Sequence, residues 1–123
     1  MRAYLPIVLG LALAGCDVEV AEIERVTSPD GKVEIVITTT DGGATTSVGY
    51  HVNLVAPGDE ADLDASVLVA DKVWNFSASW ASPNRVLIQC GSARVFHFQN
   101  FWQSRKVDNF EHIVQIGLSG CAS

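Results

Sequence analysis

The sequence predicts an all-β protein: an antiparallel meander, as a curled sheet, a sandwich or a small barrel, that follows an N-terminal export segment. Three observations carry this prediction. At least five segments alternate apolar and polar residues with the period of two that belongs to half-buried strands. Gly, Pro, Asn and Ser clusters punctuate those segments at short intervals. Almost nothing in the chain carries the 3.6-residue period of a helix, and successive short strands joined by tight turns favour antiparallel architectures.

The first element is the export segment. Met1 and Arg2 give a positive start, residues 3–13 are almost wholly apolar, and Ala14 and Gly15 are small, as a signal peptidase requires. The run is shorter than the roughly 20 apolar residues that span a bilayer, and no other span follows. The quartet Leu13-Ala14-Gly15-Cys16 resembles the lipobox of bacterial lipoproteins. That resemblance implies a cleaved signal peptide over residues 1–15. It also implies acyl chains such as palmitate on Cys16 and a membrane anchor in the cell envelope facing the periplasm. Two acyl chains hold a protein stably, at about 0.8 kcal/mol per buried CH₂. Asp17 resembles the inner-membrane retention signal of enterobacterial lipoproteins. On this reading residues 16–24 are a lipid-anchored tether and residues 25–123 a single β-rich domain.

Strand signals begin in residues 18–24, where Val18, Val20 and Ile23 alternate with Glu19, Glu22 and Glu24. Thr27-Ser28-Pro29-Asp30-Gly31-Lys32 is a hairpin signal, because proline presets φ and Gly31 takes positive φ. In residues 32–40, Val33, Ile35 and Ile37 share one face. The paired glycines of 41–47 break the chain, and residues 48–55 resume the alternation with Tyr50, Val52 and Leu54 on one side. Residues 56–64 form a turn and an acidic loop, and residues 67–69 a short strand. Trp74, Phe76, Ala78 and Trp80 suggest one half-buried strand with an aromatic face. Ser82-Pro83-Asn84 turns into its partner strand over 85–90, and Gly91-Ser92 turns again into residues 94–99. Residues 101–109 are polar and ambiguous, and residues 110–118 form the last strand.

Three stretches together, Ser28-Pro29-Asp30-Gly31-Lys32, Gly42-Gly43-Ala44-Thr45-Thr46 and Trp80-x-Ser82-Pro83-x-Arg85-Val86, resemble a family of small bacterial lipoproteins of uncharacterised activity. The likeness covers about residues 26–55 and 80–89. The acidic loop and the tail from Phe98 do not match. What the resemblance implies is fold and location, with no chemistry attached. The same turns are similar to those of TolB-like propeller blades, but a propeller needs at least four blades of about 40 residues, and this chain has room for about two.

Net charge is −6, and the loss of Arg2 with the signal makes the remainder more acidic. This argues against nucleic acid as a partner and against attraction to anionic headgroups. Beyond Cys16 the cysteines are Cys90 and Cys121. In an oxidising compartment a disulfide is their default reading, with a buried free thiol as the alternative, and they are too few for a paired-cysteine zinc site. No cofactor or metal is expected.

No catalytic set emerges. No lysine follows the glycines at 42–43, so a phosphate-binding loop is unsupported. Gly42, Gly43, Thr45 and Thr46 are either a partner-binding loop or a flexible hairpin with strand-forming threonines. The carboxylates of residues 59–64 lack the ordered spacing of a calcium loop. His51, His97 and His112 are scattered singly, and no G-x-S-x-G is present. Phe101 and Trp102 are adjacent, would face opposite sides of a strand, and leave one aromatic free for a partner. The sequence thus points to a non-enzymatic envelope lipoprotein that binds an envelope protein or cell-wall partner. The second reading is an inhibitor or immunity lipoprotein that blocks a hydrolase through residues 56–64. A small hydrolase ranks third.

Overall fold

The computed structural model describes residues 18–44 and 46–121. The export segment, Cys16, Asp17, Thr45 and the last two residues lie outside the described residues. The first sheet has five strands: β1 (Glu19–Thr27), β2 (Glu34–Asp41), β3 (Gly49–Val55), β4 (Leu68–Trp74) and β7 (Ser92–Phe98), in the order β1-β2-β3-β4-β7 and antiparallel throughout. The second has four: β5 (Ser77–Ser82), β6 (Arg85–Gln89), β9 (Val114–Ser119) and the two-residue β8 (Phe101–Trp102), in the order β5-β6-β9-β8.

Alternation explains how the two sheets meet. Ile35, Ile37, Val52, Leu54, Leu68 and Ala70 of the first sheet share one buried cluster with Ala78, Val86, Ile88, Val114 and Ile116 of the second. The Trp80 indole donates to the Val26 carbonyl at 2.9 Å and ties the layers at the β1 edge. The product is a two-layer sandwich rather than a closed barrel. It is a meander only through its first four strands.

The first hairpin shows why Ser-Pro-Asp-Gly closes it. Gly31 has φ +75°, and its N–H donates to the Ser28 carbonyl at 2.9 Å. The buried Ser28 hydroxyl accepts from the N–H groups of Lys32 (3.1 Å) and Val33 (3.2 Å) and donates to the Asp30 carboxylate (2.7 Å). That last bond is the main reason the Asp30 carboxyl sits below its ordinary pKa.

Four elements differ from the sequence expectation. β1 already begins at Glu19, where Glu19 pairs with Asp41, so the pairing reaches into the stretch expected as tether. Trp74 and Trp80 do not share a strand. Asn75 takes φ +60°, which asparagine tolerates better than most residues, and there the chain leaves one sheet for the other. β6 and β9 pair in parallel, Arg85 opposite Gln115 through Gln89 opposite Ser119, a contact that local pattern cannot show. Phe110 does not start the last strand but ends a turn (Asp108–Phe110) ahead of it.

Cys90 directly follows β6, and Cys121 follows β9 after the single residue Gly120. They form a disulfide with Cα atoms 4.7 Å apart, and both are buried. Gly120 makes this possible: its φ is +76°, and a Cβ there would strike the Cys90 carbonyl oxygen.

Candidate functional site

Strand register gives the sandwich two distinct ends. Asp41 pairs with Glu19, Gly49 with Asp71 and Ser92 with Trp74, so the β2–β3 loop, Trp74 and the disulfide lie at the end where the described chain enters. Arg85, Gln115 and Phe101 share a register row at the opposite end, beside the turns at Pro83 and Pro29. The two groups of residues singled out for partner binding are therefore split between the ends.

At the entry end, Gly42, Gly43 and Thr46 close their own turn. The Gly43 N–H donates to the Asp41 carboxylate at 3.0 Å, and the Thr46 N–H and hydroxyl both donate to the Gly43 carbonyl, at 3.2 and 3.1 Å. These hydrogen bonds stay within the hairpin turn. Thr45 lies outside the described residues.

At the far end, β8 sends its two aromatics to opposite sides, as adjacency predicts. Trp102 packs against the common core. Phe101 faces outward at 44 % exposure and lines a surface hollow of about 310 Å³ with Arg85, Asn100, Ile113, Gln115 and Gly117. Gly117 helps to form the hollow because it leaves the row beside Leu87 without a side chain. The Arg85 guanidinium donates to the neutral Gln115 side chain at 3.1 Å and makes no ion pair among the described residues. Its full charge is thus available to an incoming carboxylate, which a guanidinium can hold by two parallel hydrogen bonds.

The connection from β8 to β9 adds to this surface at a conformational cost. Asp108, Asn109 and Phe110 take φ of +52°, +51° and +70° in succession. For residues with a Cβ, the left-handed region costs roughly 1–2 kcal/mol each. Surrounding contacts hold the turn: Lys32 pairs with Asp108 at 2.9 Å, the Phe110 N–H donates to the Ser104 carbonyl at 2.9 Å, and Val107 is buried. The turn leaves Phe110 exposed, and Ile113 follows it, also exposed. Strain that other contacts sustain concentrates at functional surfaces.

The acidic loop lies along the sheet instead of projecting. The Gly58 N–H donates to Glu34 at 2.9 Å, Asn53 donates to the Asp62 carbonyl at 2.7 Å, and Ser66 donates to Asn53 at 3.0 Å. Lys106 pairs with Asp59 at 2.8 Å. The Gly58 N–H, and then the Arg25 guanidinium, hold the Glu34 carboxyl below its usual pKa. Between this loop and Trp102 lies a second hollow of about 190 Å³.

The histidines do not converge. His51 and His97 lie on one register row but two strands apart, with Val69 between them, and His112 approaches the Pro83 carbonyl at 3.2 Å. Burial pushes the pKa of His51 down, and its Nδ1 is buried without a partner. Among the described residues no group of three or more His, Cys, Asp or Glu is placed to hold a metal ion.

The sequence reading found Phe101 by adjacency but missed Arg85, Ile113 and Gln115. Only the parallel β6–β9 register brings them together. Comparison of the chain with protein-family models, with curated proteins and with solved structures returns no match.

Proposed function

We propose that this chain is a non-enzymatic lipoprotein of the bacterial envelope, anchored through lipid on Cys16, whose far end docks an envelope protein or cell-wall partner. One observation carries the docking: Phe101 and Ile113, both exposed, line a hollow with an arginine that pairs with no carboxylate among the described residues. Exposed apolar side chains beside an exposed guanidinium match the composition of binding hot spots, where aromatic residues and Arg are enriched. The partner chemistry this favours is an extended segment carrying a carboxylate beside apolar groups. Anchorage rests on the lipobox resemblance of residues 13–16, and membership of the small lipoprotein family on the motifs at Ser28, Gly42 and Trp80.

The inhibitor or immunity reading needs side chains that project into another protein's cleft. The ties on Gly58, Asp59 and Asp62 weigh against that role for residues 56–64 and leave the first reading ahead.

A photo-crosslinking residue at position 101, in cells of the native host, tests the docking. A discrete adduct from position 101, absent from position 24 on the exposed β1 edge and weakened by Arg85→Ala, is expected. Equal labelling from both positions would remove the assignment. Cys16→Ser tests the anchor: the variant loses its acyl mass and leaves the membrane fraction.

A further inference from the structure

We infer that the entry end of the sandwich seats directly on a lipid surface, with Trp74 as its interfacial anchor. The inference rests on the lipoprotein reading of Cys16 and adds to it an orientation and a second contact.

Trp74 is 68 % exposed, yet it is held in place. Its carbonyl accepts from the Gly91 N–H at 2.8 Å, and its ring lies so close over Gly91 that any Cβ there would collide with it. The disulfide fixes the residue before Gly91. A large aromatic is thus fixed in an exposed position with no core residue to cover it. Exposed valines accompany it at the same end: Val18 and Val20 on the β1 side and Val48 just before β3, all at least 40 % exposed. Lys72 stands two residues before Trp74 and makes no ion pair among the described residues.

The length of the leash chooses the occupant. Glu19 is the first residue of β1, three positions after Cys16. Extended chain spans at most about 3.6 Å per residue, so the anchored cysteine lies within roughly 11 Å of Glu19. Trp74 stands at the same end, three strands across, and strands are about 4.8 Å apart, which puts it some 15 Å to the side. A lipid on Cys16 therefore holds this whole end against the headgroups and leaves no room for a folded protein between. Tryptophan favours that depth, where one side of the ring is apolar and the other wet. Glu19, Glu22 and Asp41 also lie at this end, so the contact is apolar and aromatic, suits zwitterionic headgroups and does not depend on anionic lipid.

The test uses protein purified from bacterial membranes and reconstituted in phosphatidylcholine vesicles whose acyl chains are brominated near the headgroup. Trp80 and Trp102 pack on the core, so quenching reads Trp74. The expected result is loss of the Trp74 share of the emission, unchanged by high salt, together with reduced access of aqueous iodide, and disappearance of both in Trp74→Phe. Absence of bromolipid quenching in the wild-type protein, or the same quenching in Trp74→Phe, overturns the inference. Mass spectrometry of the same preparation separates the two readings. If Cys16 carries no acyl chain, the lipoprotein reading fails. The seating is then decided on full chain coupled through the Cys16 thiol to a maleimide lipid.

Discussion

Removing the Cys90–Cys121 bridge should cost this domain a large share of its stability. The crosslink closes a loop of 31 positions. In the chain-entropy picture such a loop restricts the unfolded ensemble by about 3.5 kcal/mol at 25 °C, against a typical measured range of 2–4. The geometry favours near-full delivery. The bonded residues lie just beyond two strands that already pair, the Cys90 N–H donates to the Ser119 carbonyl at 3.1 Å, and Gly120 takes the conformation that brings Cys121 back. The perturbation is Cys90→Ala with Cys121→Ala, compared with the wild-type chain with and without reductant. At a urea slope of roughly 1–1.5 kcal/mol per M for a domain of this size, the unfolding midpoint should fall by about 2.3–3.5 M. The slope itself should rise, because the uncrosslinked chain exposes more surface when it unfolds. A midpoint that moves by less than a quarter of that amount would refute the reasoning. It would mean that β9 holds the chain end without the bridge.

Other perturbations probe different parts of the fold. A Cβ at Gly31 meets no neighbouring atom, but Gly31→Val forces a β-branched residue to φ +75°, so the unfolding free energy should drop by about 1–2 kcal/mol from backbone strain. Ile88→Ala, at a fully buried site where the two sheets meet, should cost about 3 kcal/mol within a range of 2–5. The Arg94 guanidinium, at 2.8 and 2.6 Å, holds the Asp71 carboxyl below its ordinary pKa, against the opposing effect of burial. Its folded pKa thus lies below the unfolded value of about 3.9. The contribution to stability is present above that value and is lost as pH falls through the folded one. Asp71→Asn should remove that part of the acid dependence, read as a shallower fall in unfolding midpoint below about pH 4.

Much of the fold was legible because its signals are local. Alternation at Val33-Ile35-Ile37 and at Val86-Ile88 identified faces that are buried, and the Ser28 to Lys32 turn carried its own closing chemistry. What sequence reading missed depends on long-range register or on one residue's dihedral. Trp74 and Trp80 obey a period of two, and the positive φ of Asn75 lies where the chain passes between their different sheets. An asparagine inside an aromatic alternation was the available signal, since it enters the left-handed region more readily than most side chains. Asp108 and Asn109 carry the same local tolerance, but Phe110 does not, and tertiary contacts at Lys32 and Ser104 sustain its conformation against local preference. The Phe101 hollow was half legible: adjacency announced one outward aromatic, whereas Arg85 joined it through a parallel pairing.

That parallel pairing also dictates an order of assembly. β6 finds one neighbour at once in β5, through a hairpin, but its other neighbour, β9, comes about 25 residues later in the chain. Contacts of such sequence separation form late and set slow folding rates, because loop closure is an entropic cost met before the contact compensates for it. Until β9 docks, Val86 and Ile88 lack the strand that completes their layer, and Cys121 is not held beside Cys90. Oxidation of this cysteine pair therefore works as a clock for the molecule. The moment at which the two thiols disappear marks the arrival of the strand that completes the second sheet.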